Sequence, residues 1–164
     1  MNLKSLTVLG YHFIGCGELR REINSKIENL GHRLRREIQV TTPIIGFSSD
    51  SDAMRTAMCL GTKFGVGAQH WLQLNEPHQK AVELDVLLSE ISRRQKPEDK
   101  HVVLVIEPLL VARVASFCSN RLGVNFNQTL PPIKEGTAIS LVPSVGKVWS
   151  FSVPNKTNLS LATT

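Results

Sequence analysis

Five consecutive apolar, strand-favouring residues, Val102-Val103-Leu104-Val105-Ile106, stand between Lys100-His101 and Glu107-Pro108. A strand with no apolar/polar alternation needs cover on both faces, so this run predicts the middle of a sheet with helices on either side. Residues 5–11 form a second short apolar run and residues 43–47 a third. Polar residues follow each: His12 after the first, Ser48 and Ser49 after the second, Glu107 after the central one. Ligands of open α/β sheets bind at the carboxyl ends of the strands, and these three ends are expected to converge on one site.

Helical spacing separates the runs. Leu19, Ile23, Ile27, Leu30 and Leu34 recur at steps of three or four and occupy one helical face, with Gly31 expected to end or loosen that helix. Ala53, Ala57, Leu60 and Phe64 make the stripe of a second helix, stopped by Gly65 and Gly67. Ala81, Leu84, Leu88 and Ile91 predict a third, and Val111, Val114, Ala115, Cys118 and Leu122 a fourth. Residues 137–142 and 147–153 read as two strands joined through Pro143-Ser144-Val145-Gly146, a hairpin at the sheet edge. The expected fold is therefore α/β: three layers, a mostly parallel sheet with helices on both faces, and a C-terminal edge hairpin. Residues 1–153 are expected to form one domain, and the polar residues 154–164 a mobile tail.

The composition narrows the function classes. A hydrophobic fraction of 41% with 20% charged residues suits a globular core rather than disorder. Cys16, Cys59 and Cys118 have no CxxC spacing, which indicates neither a disulfide framework nor a zinc site and fits a cytoplasmic chain. Leu6 to Cys16 has a loose likeness to a lipoprotein signal, but Tyr11 and His12 interrupt its apolar run. No stretch approaches the ~20 apolar residues of a membrane span. The net charge of +5, with Arg20, Arg21, Arg33, Arg35 and Arg36 around the first helix, raises nucleic-acid binding; the 5% aromatic content and the lack of a recognition motif favour a solvated basic face instead.

Phe47-Ser48-Ser49-Asp50-Ser51-Asp52-Ala53-Met54-Arg55-Thr56-Ala57 resembles the strand-to-helix signature of the histidine phosphatase superfamily, the phosphoglycerate mutase-like fold, in which Ser-Ser-Pro and a short gap precede Arg-Ala-x-Gln-Thr-Ala. The order of elements resembles that family over residues 5–153. Length and terminal hairpin are most similar to its small bacterial phosphohistidine phosphatases. The family's first strand ends in Arg-His-Gly, its His being the phosphate-accepting nucleophile; here Tyr11-His12-Phe13 stands in that place. The resemblance puts the family's second Arg on Asp52, leaving Arg55 as the nearest guanidinium, and its second catalytic His on Glu107. It implies Arg55 and Ser49 as phosphate contacts, no cofactor, and a family acid in the loop at Gln73 to Glu76.

A phosphohistidine mechanism needs a neutral imidazole and cationic donors around the phosphoryl group. Tyr11, Asp52 and Glu107 remove those donors and add negative charge. Losing one such donor typically costs about 3 kcal/mol of transition-state stabilisation. The expected function is thus a degenerate histidine phosphatase-like protein acting as a binding or regulatory module, with a protein partner; the alternative is an active phosphatase using His12 as nucleophile, Arg55 for phosphate and Glu107 for proton transfer. Asp52 equally suits a helix cap. A buried Glu107 is costly unless paired, which predicts a His12–Glu107 pair with the His12 pKa raised. His12, Asp52 and Glu107 together would also suit a divalent metal.

Overall fold

The computed structural model describes residues 3–14, 18–75, 85–89, 100–126 and 134–151. Its centre is the apolar run at 102–106. Strand β4 (Lys100–Ile106) is buried along its whole length and pairs in parallel with β1 (Leu3–Gly10) on one side and β2 (Ile44–Phe47) on the other. The sheet extends outward through β3 (Ala68–His70), parallel to β2, and through β5 (Ala138–Val142) and β6 (Lys147–Phe151), both antiparallel. The resulting order is β3-β2-β4-β1-β5-β6. Residues 143–146 close the β5–β6 hairpin at the edge, with Gly146 at positive φ.

Alternate residues of the central strands feed two cores. Val102, Leu104 and Ile106 face one side with Leu6 and Val8, and pack against Val111, Val114, Ala115 and Cys118 of α3 (Val111–Leu122). Val103 and Val105 face the other, against Ile23, Ile27, Leu30 and Leu34 of α1 (Glu18–Ile38) and Ala53, Ala57, Leu60 and Phe64 of α2 (Ser51–Phe64). Both helical stripes are therefore the ones the spacing predicts. Residues 85–89 are helical and bury Leu87 and Leu88. Ala81 and Ile91 of the predicted third helix, and the tail at 154–164, lie outside the described residues.

Two expectations need correction. α1 does not end near Gly31 but continues to Ile38. Gly31 is buried on the face turned to α2, where a Cβ would make only ordinary contact with Lys63 and Leu60, and the helix runs through it on the strength of the buried stripe on either side. β3 has no counterpart in the sequence reading. It follows the left-handed Gly65 cap of α2 and is registered by Ile45, Gly46 and Phe47 of β2.

Candidate functional site

The carboxyl ends of β1, β2 and β4 do converge. They surround a cavity of about 190 Å³. Tyr11, just past β1, supplies one wall; Ser48, Ser49 and Asp50, between β2 and α2, supply a second. Glu107 and Leu110, after β4, form a third, and Leu74 and Asn75, from the turn after β3, complete the lining.

Local hydrogen bonds hold these walls. The backbone N–H of Tyr11 donates to Ile106 O at 3.0 Å, and that of Ser48 to Val105 O at 3.1 Å, which ties both strand ends to β4. Asp50 is the N-cap of α2: its Oδ1 accepts from the Asp52 N–H at 2.9 Å, and its Oδ2 accepts from the Tyr11 hydroxyl at 3.3 Å. Asn75 Oδ1 accepts the Ser49 N–H at 2.6 Å and lies 3.2 Å from His70 Nε2. Trp71 sits over Gly46 of β2, where any Cβ would overlap its ring, and so fixes the start of the Leu72–Leu74 turn.

Asp50 and Glu107 are the charged side chains of the described lining. Burial, reinforced by Asp50, Glu107 and Asp52, pushes the Tyr11 phenol up to about 12, so it keeps its proton throughout the physiological range. Among the described residues no Arg, Lys or His lines this space.

His12 lies outside the lining although it follows Tyr11 directly. The chain leaves β1 with Gly10 bonded to the turn before β5: its N–H donates to Thr137 O and its carbonyl accepts from Gly136 N–H, each at 2.9 Å. This brings Gly136 over the imidazole, so closely that a Cβ there would overlap the ring. The His12 N–H donates to Thr56 Oγ1 of α2 at 3.1 Å, and the side chain is 2% exposed. Its Nδ1 is buried with no hydrogen-bond partner. Burial, with a smaller effect from the Lys26 ammonium, lowers its pKa to about 4.

The expected His12–Glu107 pair is therefore corrected. His12 has its pKa lowered rather than raised, and Glu107 acts on Tyr11. Glu107 lines the cavity as half-buried backbone turns into the 108–110 turn, where Leu110 N–H donates to Glu107 O. Asp52 neither caps α2 nor lines the cavity; its Oδ1 accepts the Ile14 N–H at 3.2 Å and ties down the loop after β1. Arg55 is exposed and outside the lining, because Ala53, Thr56 and Ala57 take the buried side of the first turns of α2. Ser49 lines the cavity. His12, Asp52 and Glu107 do not form a metal-holding group, and no cluster of three or more His, Cys, Asp or Glu side chains suited to a metal ion exists among the described residues. Two polar lining residues were not singled out from the sequence: Asp50, signalled by the preference for Asp at a helix start, and Asn75, which falls in the loop at Gln73 to Glu76.

The fold is that of the phosphoglycerate mutase-like histidine phosphatases, a mixed six-stranded α/β sheet with helices. A mycobacterial glucosyl-3-phosphoglycerate phosphatase in complex with vanadate superimposes with a TM-score of 0.56 at 16% identity, covering 84% of this chain and 90% of that one. A phosphoglycerate mutase from Plasmodium falciparum gives 0.53 at 14% identity, over 91% and 89% of the two chains. A candidate phosphohistidine phosphatase from Agrobacterium tumefaciens gives 0.50 at 13% identity, over 85% and 92%. No protein-family model matches the sequence, and no curated protein does. No helix among the described residues is long and apolar enough to cross a membrane.

Proposed function

We propose that this protein is a histidine phosphatase-like protein without classical phosphatase activity, serving as a binding or regulatory module in the cytoplasm. The observation that carries this reading is the cavity at the strand ends, where Asp50 and Glu107 stand and no cationic side chain is present among the described lining residues. A phosphoryl group approaching with charge near minus two meets repulsion there rather than the preorganised donors that phosphoryl transfer requires. The imidazole at the position of the family nucleophile supports the same reading, since it is 2% exposed, lies against Gly136 and is not among the residues lining the cavity.

One observation favours the alternative of an active phosphatase. A His12 pKa near 4 leaves the ring neutral at physiological pH, the protonation state a nucleophile needs. Attack also requires that Nε2 or Nδ1 reach phosphorus, which its enclosure opposes. The deciding experiment is hydrolysis of p-nitrophenyl phosphate and of a phosphohistidine peptide by the wild type and by His12→Ala. No turnover dependent on His12 is expected; hydrolysis lost in His12→Ala and kept in a surface variant such as Arg36→Ala would establish the active phosphatase instead.

A further inference from the structure

We propose that the turn at residues 134–137 is a local cover over His12, latched by the Glu135 carboxylate on the Phe13 N–H, and that it acts as an autoinhibitory contact, withholding the imidazole from any ligand at the strand ends until the turn lifts. This device goes beyond the function proposed above and operates whatever the strand-end cavity binds.

Three observations meet at this place. The first is Gly136. It lies nearest the Cε1–Nε2 edge of the ring, so tightly that a Cβ there would overlap it, and it holds a left-handed φ of 78°. Glycine alone combines that conformation with that approach. The second is the ring itself. His12 is 2% exposed and its Nδ1 is buried without a hydrogen-bond partner, a standing cost that water would relieve once the cover opened. The third is how little holds the turn. Lys134 is exposed, Glu135 is half-buried and Gly136 has no side chain, and none of the three belongs to either core. Two backbone bonds to Gly10 at 2.9 Å, and the Phe13 N–H donated to Glu135 Oε2 at 3.4 Å, tie the turn to the end of β1 and the loop beyond it.

The two sides of His12 differ in how firmly they are built. Its backbone N–H donates to Thr56 Oγ1 of α2, a helix anchored by buried Ala53, Ala57, Leu60 and Phe64. The turn has no such anchor before Thr137, the first buried side chain of that stretch. Segments with few buried apolar contacts open locally, at free energies below that of global unfolding, so the cover is the side that leaves first. Opening breaks the bonds of Gly136 and Thr137 to Gly10 and the Glu135 contact, and leaves β5 paired with β1. It frees an imidazole that enters the open state neutral. Such a ring can accept a hydrogen bond or act as a nucleophile; beneath Gly136 it does neither.

The test is carbethoxylation of the native protein by diethyl pyrocarbonate near neutral pH, read residue by residue by mass spectrometry. Exposed His70 reports the uncovered rate, and buried His101, at the amino end of β4, reports global unfolding. In the wild type, His12 should react at least about a hundredfold more slowly than His70 yet faster than His101, as local opening requires. Low concentrations of urea should leave that rate unchanged, because lifting one turn exposes little surface. Glu135→Ala should raise it about threefold, as loss of one exposed hydrogen bond predicts. Labelling of His12 in step with His101, or as fast as His70, would overturn the proposal, and so would a rate indifferent to Glu135→Ala.

Discussion

Tyr11 and His12 are neighbours in sequence, follow the same strand and are almost equally buried, yet they meet opposite surroundings. The Tyr11 hydroxyl turns to a cavity with two carboxylates, and its proton is held until about pH 12. The His12 ring turns into close packing beneath Gly136, and its proton is lost above about pH 4. Both therefore stay uncharged across the range between. Burial alone does not make a site: what separates the two is which wall the chain presents on leaving β1, and that wall comes from β2, β4 and the turn before β5.

The strongest way to break this contrast is to crowd the closed side. Gly136 has φ of 78°, a left-handed conformation, and its Cα lies against the imidazole. Gly136→Val combines backbone strain with overpacking, and should destabilise the fold by about 4 kcal/mol in urea unfolding. A loss below about 1 kcal/mol would mean that His12 has room to move, and would reopen its path to the cavity.

Acid tests the same side without a mutation. His12 binds its proton with a pKa lowered to about 4 in the folded chain, against about 6.5 when unfolded. The unfolded chain thus takes up the proton first as pH falls. Stability is intact above about pH 6.5 and should decline by about 3 kcal/mol as pH falls toward 4, with no further change from this group below that. His12→Gln should remove this part of the pH dependence, seen as a flatter profile of unfolding free energy between those limits. An unchanged slope would show that the imidazole is solvated.

These contrasts mark where the sequence is informative. The central strand is legible because Val102 to Ile106 must be covered on both faces wherever it lies, and the convergence of strand ends follows from parallel pairing alone. The helical stripes are legible for the same reason: Ile23, Ile27, Leu30 and Leu34 have one face to bury. β3 is not, since Ala68, Gln69 and His70 form a short, largely exposed segment whose strand character comes from pairing with β2. The fate of His12 is also hidden, because it depends on Gly136, more than a hundred residues away, and on a backbone turn that no local pattern specifies. Asp52 and Asp50 illustrate a finer limit: both suit a helix start, and only the chain's entry into α2 decides that Asp50 caps it while Asp52 holds Ile14.

The open side responds more gently. Asp50→Ala removes the α2 cap and the acceptor for Tyr11, and should cost about 1 kcal/mol in unfolding free energy. Its effect on the cavity can be read separately, since Tyr11 is the only tyrosine in the chain and its ionisation is followed directly by ultraviolet absorbance. With the nearby carboxylate gone, phenolate should appear at lower pH than in the wild type.

The smallest expected change comes from Glu107→Gln. Glu107 lines the cavity and makes no side-chain capping hydrogen bond to the 108–110 turn, and its influence on the Tyr11 proton ranks below burial and below Asp50. Glutamine keeps the shape and removes the charge, so the Tyr11 titration should move down, but by less than in Asp50→Ala, while burial continues to hold it above the ordinary value near 10. The acid limb attributed to His12 should stay where it is, because Glu107 has no part in lowering that pKa. Movement of the His12 limb with a fixed Tyr11 titration would invert the assignment, placing Glu107 beside the imidazole and the open side of the strand end at His12.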